Sequence, residues 1–405
     1  MTTADLVQGT IAALGVTASL VWCFLLAEAI RHRRMAVQLA NLPADPPEGG
    51  WPSVALIFAA RNEAAAVESA TRSMLAQDYP HLEVIAVDDR STDATGTILD
   101  TIAAQQAGLR VVHVQELPPG WLGKNNALQA AADAAASDWL LFTDADVVFS
   151  PSVLRRALAF AVAQGADHLT IAPEVPTEHF GERLFLSMFG LIFLLHAPPW
   201  RVEDPRSRAH IGIGAFNLMR AGAFRAIGGL NHLSLSIDDD LRLGQALKAA
   251  GYRTRVLLGF GSLQVRWHVG VLGMMRGVEK NFFAGLDFRL PMTVFSVFAI
   301  LWLGAAPHIG LLVGPWWTRA ICAFGLGAVA LLMRNTTWQS RIGWYYAFLL
   351  PLGALICTTA LVRSTWLTLR QQGVRWRDHH YRLSELQAHV RRRNAWTREV
   401  WKSTR

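Results

Sequence analysis

Two aspartates, Asp144 and Asp146, stand one residue apart within the apolar stretch Trp139–Phe149. The stretch shows little alternation of apolar and polar residues, which is typical of a strand buried on both faces of a parallel α/β sheet. Its end is where open α/β sheets bind ligands. Because a buried charge must be paired or coordinated, the two carboxylates predict a hard divalent cation, Mg²⁺ or Mn²⁺, shared with substrate phosphates. The alternative is a pair of exposed loop aspartates, since D-x-D alone is a weak signal.

Polar residues also follow the two apolar stretches expected to form the first strands of this region, Val54–Ala60 and Leu82–Val87. Arg61 and Glu63 come directly after the first stretch, and Asp88 and Asp89 after the second. Helical patterns separate the stretches, which predicts βαβ units and a parallel sheet. The carboxyl ends of parallel strands share one edge of the sheet, so these side chains are expected to face the same ligand as the D-x-D pair.

Three consecutive carboxylates, Asp238–Asp240, precede a helical pattern at Leu243–Ala250. Adjacent carboxylates repel one another, which raises the pKa of one of them toward the range that a general base needs. The alternative is a triplet that only begins a helix favourably, near the positive end of its dipole.

Apolar segments flank this α/β region. Hydrophobic residues make up 52% of the 405-residue chain and charged residues 17%, which is too apolar for a purely soluble protein. Gly9–Ile30 suits a bilayer span, and the basic cluster after it places the N-terminus outside and the following residues in the cytoplasm. Further candidates are Thr293–Val313, Thr318–Met333 and Gly343–Val362. Leu184–Leu195 is too short to span and predicts either an interfacial segment or a buried core helix.

These patterns predict an N-terminal membrane anchor at 1–35, a catalytic domain at 50–290, membrane segments at 291–363 and a basic tail at 364–405. Ten Arg and one Lys between Arg363 and Arg405 favour a patch that faces anionic lipid over one that binds nucleic acid. Four crossings would return this tail to the outside, against its positive charge. Because Thr318–Met333 is short for a span, we predict that 315–334 folds back or re-enters, which leaves two full C-terminal crossings and a cytoplasmic tail.

Four motifs in a fixed order resemble those of family-2 glycosyltransferases of the processive and lipid-directed kinds: V-A-L-I-F-A-A-R-N-E, V-D-D-R-S-T-D, T-D-A-D and D-D-D-L-R-L-G-Q-A-L-K-A-A-G-Y-R. The insert G-W-L-G-K-N-N-A-L at Gly120–Leu128 is similar to that of membrane-anchored members that glycosylate lipids, such as the ceramide glucosyltransferase-like, carotenoid- and hopanoid-associated branches. The resemblance implies an α/β catalytic domain with the GT-A (Rossmann-like) fold, N- and C-terminal transmembrane helices, and hexosyltransferase activity with a nucleotide-sugar, expected to be a UDP-sugar.

The resemblance also implies roles for individual residues. Asp88, in preference to Asp89, is expected to accept a hydrogen bond from the nucleotide base, and Asp144 and Asp146 to hold the metal against the diphosphate. In the aspartate triplet, the family spacing to Leu243 and Gly251 assigns the catalytic base to Asp240 and the preceding acid to Asp239. The usual glutamate of the family is replaced by Asp239, so the register is open by one residue.

The remaining expected nucleotide-sugar contacts are more ambiguous. Lys124 is expected to meet a phosphate as a point charge, with a solvated lysine as the alternative. Gly212 and Gly214 are expected to let the backbone approach the donor, with glycines needed for packing as the alternative. Arg266 and Trp267 belong to L-Q-V-R-W, which is one residue short of the Q-x-x-R-W element of polysaccharide synthases. Arg266 is expected to pair with the diphosphate.

Together these features predict an inverting glycosyltransferase in the inner cell membrane, with its catalytic domain in the cytoplasm and a membrane lipid as acceptor. Two alternatives stay open. A non-catalytic nucleotide-binding module would have no need of Asp240, and a processive synthase would need more membrane helices and an intact Q-x-x-R-W. No nucleic-acid partner is expected.

Overall fold

The computed structural model describes residues 2–32, 37–335 and 342–404. The chain forms two compact units, each built from three separate segments. The first, called here the helical unit, comprises Met1–Met35, Thr177–Trp200 and Trp267–Glu385. The second, the sheet unit, comprises Ala36–Pro176, Arg201–Arg266 and Leu386–Arg405.

The strands of the described residues are short. They are β1 (Val37–Gln38), β2 (Val54–Ala60), β3 (Leu82–Asp89), β4 (Leu109–Val114), β5 (Trp139–Asp144), β6 (Val147–Phe149), β7 (His168–Ala172), β8 (Asn217–Arg220), β9 (Thr254–Leu258), β10 (Leu263–Val265), β11 (Gly373–Trp376) and β12 (His379–Arg382).

Helices lie between most of the strands and dominate the C-terminal part of the chain. They are α1 (Thr3–Arg31), α2 (Val67–Leu75), α3 (Thr95–Gln105), α4 (Gly123–Ala134), α5 (Val153–Ala163), α6 (Phe180–His196), α7 (Pro199–Glu203), α8 (Ala221–Ala226), α9 (Asp239–Ala249), α10 (Gly270–Gly277), α11 (Phe282–Gly285), α12 (Leu290–Val313), α13 (Trp316–Asn335), α14 (Leu350–Arg370) and α15 (Leu383–Ser403). Short 3-10 turns cover Leu39–Asn41, Asn231–Leu233 and Trp344–Leu349.

The sheet unit is built on an eight-stranded sheet with the order β1-β9-β7-β8-β5-β2-β3-β4. The central strands β2, β3 and β5 are apolar and almost completely buried, as the absence of alternation in their sequences predicts. The α/β fold expected from the sequence is confirmed, with one difference from an all-parallel sheet. Strand β8 runs antiparallel to both of its neighbours, β5 and β7. The chain between β7 and β8 passes through the helical unit, so no βαβ crossover forces these two strands to be parallel.

The acidic stretch that the sequence singles out is split in two. Strand β5 ends at Asp144, and β6 begins at Val147 and pairs with β10 in a separate two-stranded sheet. Both aspartates therefore lie at the carboxyl end of a central strand, as expected. Helix α9 begins at Asp239, four residues earlier than the helical pattern at Leu243 predicts, so the aspartate triplet straddles a helix N-terminus.

Within the helical unit, α1 packs against α12 and α13, and α12 also packs against α14. The indole Nε1 of Trp22 donates to the carbonyl of Leu303 at 3.0 Å, and that of Trp302 donates to the carbonyl of Leu14 at 3.0 Å. A Cβ added at Gly15 would lie 3.0 Å from the sulfur of Cys322, so small residues allow these helices close contact.

Five helical segments among the described residues have the length and composition needed to cross a membrane: Asp5–Arg31, Phe180–Glu203, Leu290–Val313, Trp316–Arg334 and Trp344–Arg370. The chain thus combines the α/β fold with membrane helices at both ends. Helix α13 has 20 residues, longer than the Thr318–Met333 pattern indicates and enough for about 30 Å of rise. The segment expected at Leu184–Leu195 lies within α6, which packs against α14 in the helical unit.

The two units do not follow the segment boundaries that the sequence predicts. The helical unit contains two parts of the expected catalytic range 50–290, namely Thr177–Trp200 and the residues from Trp267 onward. The expected tail, 364–405, is divided, since Leu386–Arg405 belongs to the sheet unit. Composition separates apolar from polar segments, but it does not reveal which polar segments return to pack on the same core.

Candidate active site

The carboxyl ends of four parallel strands are aligned at one edge of the sheet. In the strand register, Ala59 lies opposite Asp144, Ala60 opposite Asp88, and Asp88 opposite His113. The polar residues that follow the strands in the sequence are therefore neighbours along this edge, as the βαβ pattern predicts.

Lys124, at the start of α4, connects two of the acidic motifs. Its Nζ lies 2.7 Å from Oδ1 of Asp144 and 3.6 Å from Oδ2 of Asp239. Burial by itself lowers the pKa of Lys124, but the negative charges of Asp144, Asp239 and Asp240 outweigh burial and raise the pKa. Lys124 is therefore a fixed positive charge inside an acidic cluster. It is not the solvated lysine that was the alternative.

Asp146 carries less compensating charge than Asp144. Burial and, after it, repulsion from the charges of Asp144 and Glu63 raise the pKa of Asp146 to about 7. The carboxylates after β2 and β5 therefore create excess negative charge in one place, which a bound cation would relieve. Asp144 and Asp146 would supply hard oxygen ligands of the kind that Mg²⁺ and Mn²⁺ prefer. Within residues 2–32, 37–335 and 342–404, no three His, Cys, Asp or Glu side chains are grouped so that they hold a metal by themselves.

The three adjacent aspartates have three different environments. Oδ2 of Asp238 accepts from Nε of Arg242 at 2.8 Å, and Oδ1 lies 3.9 Å from Nη1 of Arg393 in α15. Asp239 is buried and faces Lys124. The local structure therefore distinguishes carboxylates that are indistinguishable in the sequence.

Asp240 is held by backbone amides. Its Oδ2 accepts from the N–H of Gly214 and its Oδ1 accepts from the N–H of Leu241, both at 2.7 Å. Burial and, after it, the adjacent charge of Asp239 raise the pKa of its carboxyl to about 7, although the charge of Lys124 lowers the pKa in part. A partly buried carboxyl in a fixed orientation with such a pKa has the properties of a general base near neutral pH.

The two glycines expected near the donor have different surroundings. A Cβ at Gly214 would lie 2.7 Å from Oδ2 of Asp144 and 3.3 Å from Oδ2 of Asp240, so this glycine lies between the two carboxylates. A Cβ at Gly212 would overlap the backbone carbonyl of Asp240 at 1.8 Å. Gly212 is therefore required for packing against the start of α9, which was the alternative considered for it.

The insert around Lys124 also supports the loop before the triplet. The Nδ2 of Asn125, which is fully buried, donates to the carbonyls of Leu233 at 2.8 Å and Ser236 at 3.0 Å. The N–H of Leu122 donates to the carbonyl of Ser234 at 2.8 Å. Sequence reasoning missed Asn125, although its place beside Lys124 in the G-W-L-G-K-N-N insert was a usable signal.

A second cluster surrounds the aspartates after β3. Asp88 is buried, with Oδ1 accepting from the N–H of Ser91 at 3.1 Å and Oδ2 lying 3.1 Å from Nδ1 of His113. Hydrogen bonds to Asp100 and then to Asp88 raise the pKa of His113. His113 was not expected from the sequence, because only the register of β4 against β3 brings it to Asp88.

Asp89 is paired differently from Asp88. Arg90 contacts it with two nitrogens, at 2.8 and 3.1 Å, and Nη1 of Arg61 lies 3.8 Å from its Oδ2. A Cβ at Gly123 would overlap Oδ2 of Asp89 at 2.0 Å, so the second glycine of the insert makes room for this ion pair. Asp89 is therefore held in an ion pair, and the preference for Asp88 as the acceptor for the nucleotide base stays a prediction.

The loop that holds Arg61 and Glu63 is tied to the loop after β3. Asn62 adopts a positive φ of 54°, and its Oδ1 accepts from the N–H of Thr92 at 2.8 Å. The N–H of Glu63 donates to Oγ1 of Thr95 at 2.8 Å. An asparagine tolerates this left-handed conformation better than most residues, and the cross-loop bonds hold it in place.

The L-Q-V-R-W element lies beside the acidic strand. Strand β10 pairs antiparallel with β6, and Nε2 of Gln264 lies 3.4 Å from Oε2 of Glu174. Arg266 follows β10 and is exposed. Trp267 packs in the helical unit, where its ring centroid is 5.2 Å from that of Phe189. The expected contacts of Arg266 and Trp267 with the nucleotide-sugar stay predictions.

Comparison with known proteins gives independent support for a glycosyltransferase. The family model described as "Glycosyl transferase family 2" matches residues 55–228. The chain is 24% identical over 348 residues to the 4,4'-diaponeurosporenoate glycosyltransferase of Staphylococcus aureus strain MRSA252, covering 83% of this chain and 90% of that protein. It is 25% identical over 349 residues to the protein of the same name from strain USA300, with the same coverage.

A solved structure shares the fold. It is the mannosyltransferase PcManGT from Pyrobaculum calidifontis in complex with GDP-Man and Mn²⁺, with a TM-score of 0.54 and 18% sequence identity, covering 88% of this chain and 99% of that chain. The matched residues 55–228 include the strand ends that carry Asp88 and Asp144. The chain therefore contains a family-2 glycosyltransferase domain at residues 55–228 and has the GT-A fold.

Proposed function

We propose that this glycosyltransferase moves a sugar from a nucleotide-sugar, most simply a UDP-sugar, to a lipid acceptor with inversion at the anomeric carbon. The observation that carries the proposal is the geometry of Asp240. Its carboxylate is fixed by the amides of Gly214 and Leu241, and Gly214 also adjoins Asp144. A candidate base and a candidate diphosphate site thus lie on either side of one glycine.

The donor diphosphate would lie at the ends of β2 and β5. Asp144 and Asp146 would hold a divalent cation, Mg²⁺ or Mn²⁺, which, when bound, neutralises charge that develops on the leaving nucleotide diphosphate. Lys124 supplies a second positive charge next to Asp144. Asp88 would accept a hydrogen bond from the nucleotide base, with His113 and Ser91 fixing the orientation of its carboxylate.

The transfer step follows from the position of the base. Asp240 takes the proton of the acceptor hydroxyl as that oxygen attacks C1 of the sugar from the face opposite the diphosphate. A new C1–O bond forms, the bond from C1 to the diphosphate oxygen breaks, and the nucleotide diphosphate leaves with the bonding electrons. The single displacement inverts the configuration at C1. Asp239, held by Lys124, would keep Asp240 in register without taking the proton itself.

A lipid acceptor is supported by two observations. The chain carries apolar helices of membrane-spanning length, and the relatives that it matches along most of its length are named for a glycosyl transfer to diaponeurosporenoate. A transferase anchored in a membrane would meet acceptors with an apolar body and a polar end at the membrane surface.

The direct test is a donor screen with membranes that contain the protein. Membranes are incubated with UDP-, GDP- and dTDP-sugars, and the released nucleotide and the mass of extracted lipids are measured. We expect one nucleotide diphosphate to be released together with a lipid that gains one sugar. Polymer formation would contradict the single-transfer proposal, and nucleotide binding without release would favour a non-catalytic module.

The pKa of Asp240 gives a pH prediction. The base acts when deprotonated, so a pKa raised to about 7 means that activity falls as the pH drops through 7. We expect kcat/KM for the acceptor to rise about tenfold from pH 6 to pH 8 and then level off. The deprotonation of Asp146 has the same sign, so the rates are measured at saturating metal. A rate that is constant between these pH values would contradict the assignment of Asp240.

The position of α15 gives a topology prediction. Leu386–Arg405 belongs to the sheet unit, and we infer that this unit lies on one side of the membrane, so that the chain returns to that side after α14. The number of full crossings between Trp267 and Leu386 is then even, and α12, α13 and α14 cannot all be single complete crossings. Together with the basic cluster after α1, this supports a cytoplasmic sheet unit and tail in the inner membrane.

Cysteine labelling in intact cells tests this topology. A Ser403→Cys variant is expected to react with a membrane-impermeant reagent only after permeabilisation, whereas a Thr3→Cys variant is expected to react without it. The native cysteines lie in apolar helices, where Cys322 and Cys357 are buried. Labelling of Ser403→Cys in intact cells would place the tail outside.

A further inference from the structure

The last helix of the chain packs on the sheet unit by one face. Among the residues of α15, the side chains of Leu386, His389, Arg393 and Thr397 are buried, and their spacing of three and four residues places them on one side of the helix. Arg391 and Arg392 are exposed. The basic tail is therefore not simply a solvated or lipid-facing segment, because part of its charge is directed into the protein.

This buried face contacts the segment that leads into the catalytic triplet. The Nε2 of His389 lies 3.1 Å from Oγ of Ser236, and Nη1 of Arg393 lies 3.9 Å from Oδ1 of Asp238. At the far end of α9, Oγ1 of Thr404 donates to the carbonyl of Ala249 at 2.8 Å. The end of the chain thus contacts the residues just before α9 and the last residue of that helix.

Arg393 is an unusual residue for a tail. Its side chain is only 2% exposed, whereas a buried guanidinium is unfavourable unless it is paired. Asp238 and Oδ1 of Asn394, 3.2 Å from Nη2, are among its partners. The buried charge therefore has a role in the fold of this region, and the carboxylate that it faces is two residues from Asp240.

The positive charge of Arg393 offsets part of the negative charge of the aspartate triplet, Asp238–Asp240. Three adjacent carboxylates repel one another, and a free Asp238 would compete with Asp240 for the positions near Gly214 and Lys124. Arg242 and Arg393 approach Asp238 through different oxygens. With both oxygens of Asp238 paired, Asp239 contacts Lys124, and Asp240 accepts from the amides of Gly214 and Leu241.

We propose that Arg393 of the C-terminal helix is a positioning residue for sugar transfer: by neutralising Asp238, it fixes the start of α9 and hence the orientation of the Asp240 carboxylate. The inference rests on the proposed function of Asp240 as the base. Arg393 acts through Asp238 and does not touch the reacting atoms.

The test uses the full-length protein in detergent and compares four variants with the wild type. Arg393→Gln removes the charge and keeps a polar side chain of similar length. Asp238→Asn removes the opposing charge, and the double variant removes both. Arg392→Gln makes the same change in net charge at an exposed neighbouring position. Initial rates at varied donor give kcat and KM, and thermal unfolding monitors the fold.

We expect Arg393→Gln to lower kcat by about 10- to 100-fold, the range produced when reacting groups are misplaced by a distant change, with a smaller effect on the KM of the donor. Adding Asp238→Asn should restore most of the lost rate, because the negative charge that Arg393 offsets is then removed as well. Arg392→Gln should behave as the wild type.

The inference is overturned if Arg393→Gln is as fast as the wild type. It is also overturned if the double variant is no faster than Arg393→Gln. Should Arg393→Gln unfold, the double variant must recover both fold and rate, and its failure to do so counts against the inference. The unfolding temperatures also separate failure of this inference from failure of the proposed function. A wild type that is inactive with every donor refutes the proposed function. Unfolding temperatures that are not additive between the single variants at Arg393 and Asp238 and the double variant report the coupling of these two residues, and this measurement needs no activity.

Discussion

Replacing Asp240 by asparagine is expected to abolish sugar transfer while leaving nucleotide binding largely unchanged. The substitution preserves the shape of the side chain and removes the proton acceptor. Its remaining oxygen can keep one of the two hydrogen bonds that the amides of Gly214 and Leu241 donate to Asp240. The loss of a general base lowers the rate by about 10²–10⁴-fold. Single-turnover transfer and equilibrium binding of the nucleotide diphosphate, measured on the same preparation, separate the two effects.

The matched control is Asp239→Asn, one residue away. This substitution removes the ion pair with Lys124, whose Nζ lies 3.6 Å from Oδ2 of Asp239. We therefore expect a smaller loss of rate than in Asp240→Asn, together with weaker donor binding. If Asp239→Asn is the inactive variant and Asp240→Asn retains its rate, the register is shifted by one residue and Asp239 is the base.

The second large effect is expected at the D-x-D pair. Asp146→Ala and Asp144→Ala should each lower the rate by about 10²–10³-fold, the range seen when one stabiliser of developing charge is removed. Of the two substitutions, Asp146→Ala is expected to lower metal affinity more clearly. Repulsion from Asp144 and Glu63 contributes to the raised pKa of Asp146, and a bound cation would relieve that repulsion. The measurement is the rate at increasing Mg²⁺ or Mn²⁺, with and without EDTA.

Asp133→Ala is the matched control for this pair. Asp133 is an exposed aspartate of α4 that accepts from Nε2 of Gln129 at 2.7 Å, and its loss should leave the metal dependence unchanged. An Asp146→Ala variant that works at the wild-type rate in EDTA would show that the metal assignment is wrong.

Much of the sheet unit was predictable from local pattern. The apolar runs predict the central strands, and the polar residues that follow them predict where Asp88 and Asp144 meet, because both features depend on burial and on the geometry of parallel strands. The antiparallel direction of β8 was not predictable in this way. It depends on the route of the chain between β7 and β8, and a short apolar strand has the same pattern in either direction.

The parts of the site that the sequence did not reveal depend on contacts between distant segments. His113 looks like an ordinary polar residue of a strand until the register of β4 places it on Asp88. Arg393 is one of three consecutive arginines in a basic tail, and only the rotation of α15 separates it from its exposed neighbours. Asn125 is the exception, because its neighbour Lys124 had already marked the insert as informative.

The division of the sheet unit into three chain segments has a consequence for biosynthesis. Its last segment, Leu386–Arg405, leaves the ribosome only after all the apolar helices have been made. Asp240 is translated long before the helix that carries Arg393, so the nascent enzyme has its acidic residues but lacks the segment that completes their surroundings. We therefore expect chains that terminate within the membrane helices to be released without an ordered start of α9.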